Sequence, residues 1–403
     1  LKTSKLLIAL AVQVVLLISG QAFAQTSISS PYSAFGLGSM ANVNNVKNRT
    51  MGGIGIGTRN NYTINIKNPA SYSAFDSISF VFEGAVNGHY VTLKTSDLSE
   101  SYSSATLSHL LFGFPVAKWW RSSFGLLPYS AIGYNVNDHI NFSNIGNTQY
   151  IFEGEGGISQ VYWGNSIRPL KSLSLGVNAA YLFGTMDRVQ KLTFPDSASL
   201  ISTIVNNTIS VRDLYFDFGA QYHTKIKDAD LVIGATYNPE TELNAKRNKM
   251  VRTYFGEQFG VPLILDTISI TENEEGTVTI PAGYGVGFSL GKKDRWLIGG
   301  EYKFEGWENY KAFGASDSLT NSQTFRFGGN FTPNPNSLSY YQRINYRFGA
   351  HLNQSYLNLR DQQINGFGIT FGVGLPVVSN AIRRTRSMVN LGIEAGRRGT
   401  VTN

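Results

Sequence analysis

Residues able to do acid–base or nucleophilic chemistry are few in this chain and are not grouped. The five His residues lie on separate segments without an HExxH pair, and no G-x-S-x-G elbow occurs. Asp138 and His139 are adjacent, as an acid–base pair in a barrel protease would be. A single Asp-His dipeptide in a predicted outer loop is, however, far more often solvated. The sequence therefore predicts a protein that is not an enzyme.

Metal and cofactor sites have no support in the sequence either. The chain has no Cys, which excludes thiolate metal sites, disulfide bonds and an acyl anchor on a cysteine. Its glycine runs alternate with apolar residues as in strands, and they do not open a helix as a dinucleotide site requires. The net charge of +7 is spread thinly apart from Arg383, Arg384 and Arg386. We therefore predict no metal, no cofactor and no nucleic-acid partner.

The pattern that does recur is a run of about ten residues in which apolar side chains alternate with small or polar ones. Because successive side chains of a strand point to opposite faces, each run makes a strand with one apolar face. Charged residues make up 15% of the chain and aromatic residues 13%, a balance expected where half of each strand faces hydrocarbon. The sequence predicts an all-β fold, a transmembrane antiparallel β-barrel. A clear example is Leu173, Leu175, Val177, Ala179, Tyr181 and Phe183.

The first residues have the form of an export signal. Lys2 and Lys5 precede an apolar run, and Ala22-Phe23-Ala24 offers small residues at the cleavage positions. We predict a signal peptide over residues 1–24. Since no later stretch is long and apolar enough to span as a helix, an exported chain of alternating strands belongs in the bacterial outer membrane, with lipid around its wall.

Thirteen alternating segments can be counted from Ile78 onward, one fewer than an even number. Bacterial single-chain barrels normally have an even count, so we predict a fourteen-strand plan whose last strand lies beyond Asn403. The barrel is then residues 78–403, truncated at its C-terminus. Short links on one side and long links on the other fit the asymmetry of such barrels. The predicted short links are 117–121, 167–171, 225–229 and 291–294, and the long ones are 186–207 and 246–276.

Three segments together resemble the FadL/TodX family of outer-membrane transporters of long-chain fatty acids and hydrocarbons, in its Bacteroidetes-type form. The first segment is the glycine-rich stretch 51–57 followed by Asn68-Pro69-Ala70-Ser71. The second runs from Ile280-Pro281-Ala282-Gly283-Tyr284 to Trp307-Glu308-Asn309-Tyr310. The third is the late strand 366–376. The resemblance covers nearly the whole mature chain and implies a passive channel.

The resemblance also implies roles for particular residues. It makes residues 25–77 a hatch that plugs the lumen, with Asn68, Pro69 and Ala70 where the hatch turns into the wall. A flexible leader is the alternative for this segment, and an ordinary tight turn is the alternative for the motif. Family members kink their third strand to open a side exit toward the bilayer, and Pro128 would interrupt the hydrogen-bond ladder at that place. A harmless bulge is the alternative for Pro128.

Apolar residues in the two predicted long outer loops suggest a capture groove for a hydrophobic ligand. The alternative is that they pack the two loops against each other or extend the strands beyond the membrane. The predicted partner is thus a fatty acid or hydrocarbon, taken up by a monomer. Two other functions stay open: a general porin, and an accessory barrel of a protein secretion system. The groove residues are Leu192, Phe194, Leu200, Ile201 and Ile204 in the first loop, and Tyr254, Phe255 and Phe259 in the second.

Overall fold

The computed structural model describes residues 30–399, except 43, 97, 198–199, 259–260, 360 and 381–384. The predicted signal peptide, residues 25–29, Phe259 and the strand predicted after Asn403 therefore lie outside the described residues. Within them, no helix has both the length and the apolar character needed to cross a membrane.

Strands dominate the described residues, and the helices are short. The α-helices are α1 (Val46–Arg49) and α2 (Tyr340–Arg343), and single 3₁₀ turns cover Pro31–Ala34, Pro69–Ala74 and Trp307–Asn309. The strands are β1 (Ser39–Met40), β2 (Val81–Lys94), β3 (Ser99–Pro115), β4 (Trp120–Phe142), β5 (Gly146–Leu170), β6 (Leu173–Thr193), β7 (Ser202–Ile226), β8 (Ala229–Asn238), β9 (Thr241–Gln258), β10 (Val261–Ile280), β11 (Gly283–Lys292), β12 (Trp296–Glu305), β13 (Ser322–Phe331), β14 (Asn345–Leu359), β15 (Gln362–Asn380) and β16 (Thr385–Arg398).

The sheet is antiparallel, and its strands follow chain order from β2 to β8 and then from β11 to β16. β9 continues the line of β8 after a break at Pro239, and β10 leads into β11 after a break at Pro281. Proline has no N–H for the ladder, which accounts for both breaks. The chain thus runs along the wall thirteen times, as the sequence predicted, and the fold class is confirmed. The fourteenth strand stays a prediction.

The two long outer loops expected from the sequence are largely strand. Residues 186–207 form the upper parts of β6 and β7, joined by a short link, and residues 246–276 form the β9–β10 hairpin, which pairs with the upper part of β7. β5 is 25 residues long, whereas about 9–11 residues span a bilayer. The sheet therefore extends well beyond the membrane on the side of the long links.

The two faces of the wall differ as the alternation predicted. In β15, Phe367, Ile369 and Phe371 are about half exposed, whereas Thr370 between them is 1% exposed. The apolar face therefore points outward and the small or polar face points inward, the arrangement of a barrel wall in lipid.

The inner face is lined by glycines, one from each of eleven strands, which we call the glycine girdle. Residues 30–77, the N-terminal segment, run around the inside of the wall against this girdle. Thr50 lies against β15 and β16, and the contacts then move along the sheet until Phe75 reaches β3. Side chains at these positions would collide with the N-terminal segment. The girdle comprises Gly113, Gly164, Gly176, Gly219, Gly234, Gly287, Gly299, Gly328, Gly349, Gly372 and Gly392.

We expect Gly349→Ala to weaken the packing of the N-terminal segment against the wall. The added Cβ would overlap the backbone of Met51 and Gly52, which are themselves buried, and such overpacking costs about 1–3 kcal/mol. Amide hydrogen exchange over residues 44–75 should therefore become faster. Gly88→Ala in β2 is the control, because a Cβ there meets no atom within 4 Å. Equal exchange in the two variants would contradict the assigned role of the girdle.

Candidate functional site

A single carboxylate of the wall holds the glycine-rich stretch of the N-terminal segment. Glu301 of β12 has a side chain that is 1% exposed. Its Oε2 accepts hydrogen bonds from the backbone N–H groups of Gly55 (2.7 Å) and Ile56 (3.0 Å). Its Oε1 accepts from Arg326 Nη1 of β13 (3.0 Å) and forms an ion pair with Lys67. Glu301 therefore joins two wall strands to two parts of the N-terminal segment.

Lys67 completes this site from the N-terminal segment. Its Nζ donates to the carbonyl of Gly53 (2.9 Å) as well as to Glu301. Burial, together with the positive charge of Arg326, lowers the pKa of Lys67 to about 7, against the opposing effect of Glu301. The Glu301 carboxylate is thus the shared ion-pair partner of two partly buried basic side chains, Lys67 and Arg326.

The Asn68-Pro69-Ala70 motif lies against the inner wall. Asn68 caps the 3₁₀ turn Pro69–Ala74, because its Oδ1 accepts the N–H of Ala70 (3.1 Å). Its Nδ2 donates to the carbonyl of Ile56 (2.8 Å) and lies within hydrogen-bond distance of the carbonyls of Ala220 and Ala235. The Asn68 amide thus bonds the N-terminal segment to itself and to β7 and β8.

Further polar side chains of the wall form hydrogen bonds with the N-terminal segment. Gln221 Nε2 of β7 donates to the carbonyls of Ile56 and Thr58, both at 3.0 Å. Asn178 of β6 accepts from the hydroxyl of Tyr72 (3.0 Å). Sequence reasoning missed these residues and Glu301. A polar residue at an inward position of an otherwise apolar or small strand is the signal that could have found them.

We expect Glu301→Gln to release the N-terminal segment while leaving the wall intact. The substitution removes the counter-charge from Arg326 and the ion-pair partner from Lys67, a change that typically costs about 3–5 kcal/mol. In planar bilayers the variant should open large conductance steps that the parent lacks. Glu308→Gln, an exposed carboxylate near the end of β12, should behave like the parent. Parent-like conductance of Glu301→Gln would show that Glu301 does not hold the N-terminal segment in place.

The wall is interrupted between β3 and β4. These strands pair only between Leu110–Pro115 and Arg121–Leu126. On its other side β3 stays paired with β2 as far as Ser99, and β4 stays paired with β5 as far as Phe142. Among the described residues, the outer halves of β3 and β4 are therefore not joined by a ladder.

Pro128 lies two residues beyond the last β3–β4 pair. On its other side, the β4–β5 register shifts between Pro128 and Ser130. From this point outward, the free edge of β4 pairs with β1 of the N-terminal segment: Met40 lies opposite Ser130 and Ser39 opposite Ala131. The backbone N–H groups of Ala41 and Ser30 extend this contact by donating to Tyr129 and Gly133. The N-terminal segment thus occupies the edge that β3 leaves.

The outer half of the lumen is also filled. Trp307 and Tyr310, in the link between β12 and β13, are each 2% exposed, and the Trp307 ring stacks on Tyr356 with centroids 4.5 Å apart. The Tyr356 hydroxyl donates to the carbonyl of Gly38 (2.7 Å), and Asp317 accepts the N–H of Gly36 (2.7 Å). An outer link and the N-terminal segment therefore pack together inside the barrel.

A cavity of about 480 Å³ lies beside the wall interruption. Its lining is mixed: Tyr102 of β3 and Tyr134 of β4 come from the two strands that part, and Glu153, Glu155 and Asp187 supply carboxylates. Ser30 and Pro31 of the N-terminal segment line it as well.

The residues predicted to capture a ligand lie at the tops of β6, β7 and β9. Leu192 is in β6, Phe194, Leu200 and Ile201 are in the β6–β7 link, and Tyr254 and Phe255 are in β9. Tyr254 is 1% exposed and lies opposite Ser202 of β7, whereas Ile201 and Phe255 are about half exposed. The structure brings the two groups near each other, and none of the six lines the cavity beside the interruption.

The adjacent acid–base pair lies in the wall and not in a loop. Asp138 and His139, expected in an outer loop, are in β4 opposite Tyr150 and Gln149. In the part of the chain that the structure describes, no three His, Cys, Asp or Glu side chains are grouped as metal ligands would be.

Solved structures of FadL-type β-barrels share the fold of this antiparallel wall. A FadL homologue of Pseudomonas aeruginosa has a TM-score of 0.58 at 11% identity, with 89% of this chain and 90% of that chain covered. The CymD monoaromatic hydrocarbon channel has a TM-score of 0.57 at 12% identity, covering 90% and 94%. The toluene transporter TodX of Pseudomonas putida has a TM-score of 0.51 at 14% identity, covering 91% and 100%.

The predicted resemblance to the FadL/TodX family is therefore confirmed at the level of the fold. The BamG family profile matches residues 6–403, so this chain belongs to the BamG family. A search of curated proteins finds no match.

Proposed function

We propose that this protein is a monomeric channel of the bacterial outer membrane through which hydrophobic small molecules, such as long-chain fatty acids, leave the lumen sideways. The interruption between β3 and β4 carries the proposal, because the outer halves of these two neighbouring strands are not joined by a ladder and an opening there leads to the bilayer. The similar barrels named as a monoaromatic hydrocarbon channel and a toluene transporter support this class of cargo.

The route follows from what fills the lumen. The N-terminal segment is anchored to Glu301 and the glycine girdle, so we propose that it acts as a hatch that blocks passage straight through the barrel. A ligand caught by the apolar residues above β6, β7 and β9 would then reach the cavity beside the interruption. A general porin needs a lumen open to water, which a filled interior does not provide.

A removable disulfide across β1 and β4 tests this route. Met40 and Ser130 are paired antiparallel, where Cα atoms lie about 4.5–5.5 Å apart, within the range of a disulfide. We expect Met40→Cys with Ser130→Cys to block uptake of a labelled long-chain fatty acid when oxidised, because the N-terminal segment can no longer leave the interruption. Reduction should restore uptake. The chain has no cysteine of its own to interfere.

A second disulfide serves as the matched control. Thr324→Cys with Asn353→Cys joins opposed residues of β13 and β14, away from the interruption, and should not change uptake in either redox state. Uptake by the oxidised Met40/Ser130 variant at the parent rate would exclude the lateral route. No fatty-acid uptake by the parent would count against the channel itself.

Pro128→Ala tests the cause of the interruption. An alanine N–H can rejoin the ladder, so the wall should close further and fatty-acid uptake should fall at equal surface expression. Unchanged uptake would leave Pro128 as a simple bulge.

The filled lumen favours a second function, that of an accessory barrel to which a protein secretion system docks. Packing of Trp307, Tyr310 and Tyr356 against the N-terminal segment needs no cargo to be stable. For this function we expect a defined protein complex after mild detergent extraction and in-cell cross-linking. The oxidised Met40/Ser130 variant should retain that complex, whereas a channel would lose uptake in the same variant.

A further inference from the structure

A cluster of three cations, one buried, one partly buried and one exposed, lies at the end of the barrel with the short links. It consists of Lys47 of α1, Arg347 of β14 and Arg386 of β16, which we call the cationic cluster. We propose that the cationic cluster binds a phosphate group, carried by a phospholipid headgroup or by free inorganic phosphate. The proposal concerns a site remote from the interruption and is independent of the channel function.

Arg347 is the centre of the cluster and has an unused donor. Its side chain is buried, with the residue 3% exposed. Nε donates to Asn345 Oδ1 (2.6 Å), and Nη2 lies 3.5 Å from the sulfur of Met388. Nη1 has no hydrogen-bond partner among the described residues. A buried guanidinium donor without a partner is costly, so the geometry indicates that a ligand supplies the acceptor.

The backbone leaves room for this guanidinium. Gly374 of β15 lies beside it, and a Cβ at Gly374 would overlap the Nη2 atom of Arg347. The inward position of a long cationic side chain over a glycine is therefore built into two neighbouring strands.

The charges of Arg347 and Arg386 both act on Lys47. Arg386 Nη1 is 3.3 Å from Asp294 Oδ1, and its guanidinium lies over the ring of Tyr62 at 4.7 Å. Burial lowers the pKa of Lys47 to about 7, and the positive charges of Arg347 and Arg386 act in the same direction. Positive charges that lie close together repel one another unless an anion lies between them.

The local charge matches a phosphodiester. Two carboxylates face the three cations: Asp294, which pairs with Arg386, and Glu83, which accepts the N–H of Ile64 (2.7 Å). Three basic groups thus face two carboxylates, and both guanidinium groups keep their charge. A phosphate presents several oxygens to guanidinium and ammonium donors at the same time, which a single hydroxyl or amide does not.

Calorimetry on the purified protein in phosphate-free detergent buffer tests the proposal. The probes are inorganic phosphate, dihexanoylphosphatidylglycerol and, as the zwitterionic comparison, dihexanoylphosphatidylcholine. We expect the parent to bind an anionic probe, and Arg347→Gln to weaken that binding about tenfold or more, because a charge-assisted hydrogen bond is lost. Arg386→Gln, nearer the rim, should weaken it as well.

Lys293→Gln is the matched control, because Lys293 is an exposed cation on the link next to Asp294. It should leave binding within about twofold of the parent, as expected for an exposed charge. Tighter binding of phosphatidylglycerol than of phosphate would assign the site to a lipid headgroup, and equal binding would assign it to free phosphate. No binding of either anion by the parent, or equal losses in Arg347→Gln and Lys293→Gln, would overturn the proposal.

Discussion

The Glu301 carboxylate is the interaction on which the interior of this barrel depends. It comes from the wall, yet its donors Gly55, Ile56 and Lys67 come from a segment more than 230 residues away in sequence. A buried carboxylate is tolerated only when its lone pairs and charge are met, and here two backbone N–H groups and two cations meet them. The glycine-rich stretch is therefore an anion-binding stretch whose anion belongs to the protein itself.

The glycine girdle is the steric counterpart of this electrostatic anchor. A barrel of this width cannot be filled by wall side chains alone. The wall instead has glycines at the inward positions of the girdle, so that the wall can pack closely against residues 50–75 of the N-terminal segment. This packing contact is spread over eleven strands, so the N-terminal segment cannot easily be displaced from it as a whole. Any opening that serves transport is therefore more easily made at the β3–β4 seam, where the contact is local.

Much of the wall could be predicted from the sequence, because alternation over ten or more residues is typical of a strand with one apolar face and of little else. The prediction was wrong where alternation continues above the membrane: residues 186–193, 202–207 and the β9–β10 hairpin are strands although loops were expected there. A turn at Asn68-Pro69-Ala70 could be predicted from these residue types, and the structure adds that Asn68 caps it. The role of Glu301 could not be predicted, because its partners are far away in sequence. Glu301 and these partners meet only when the sheet curves around the N-terminal segment.

The seam at Pro128 shows how the fold covers part of one strand edge beside a gap. An edge with free N–H and C=O groups is not tolerated in lipid. β1 covers part of this edge of β4, because it pairs with Ser130 and Ala131 from inside the barrel where β3 has turned away. In the proposed channel, the same few hydrogen bonds would also close the lateral passage. Moving residues 38–41 would open the cavity to the seam while Glu301 and the girdle still hold residues 50–75, so the segment can be mobile at one end and fixed at the other.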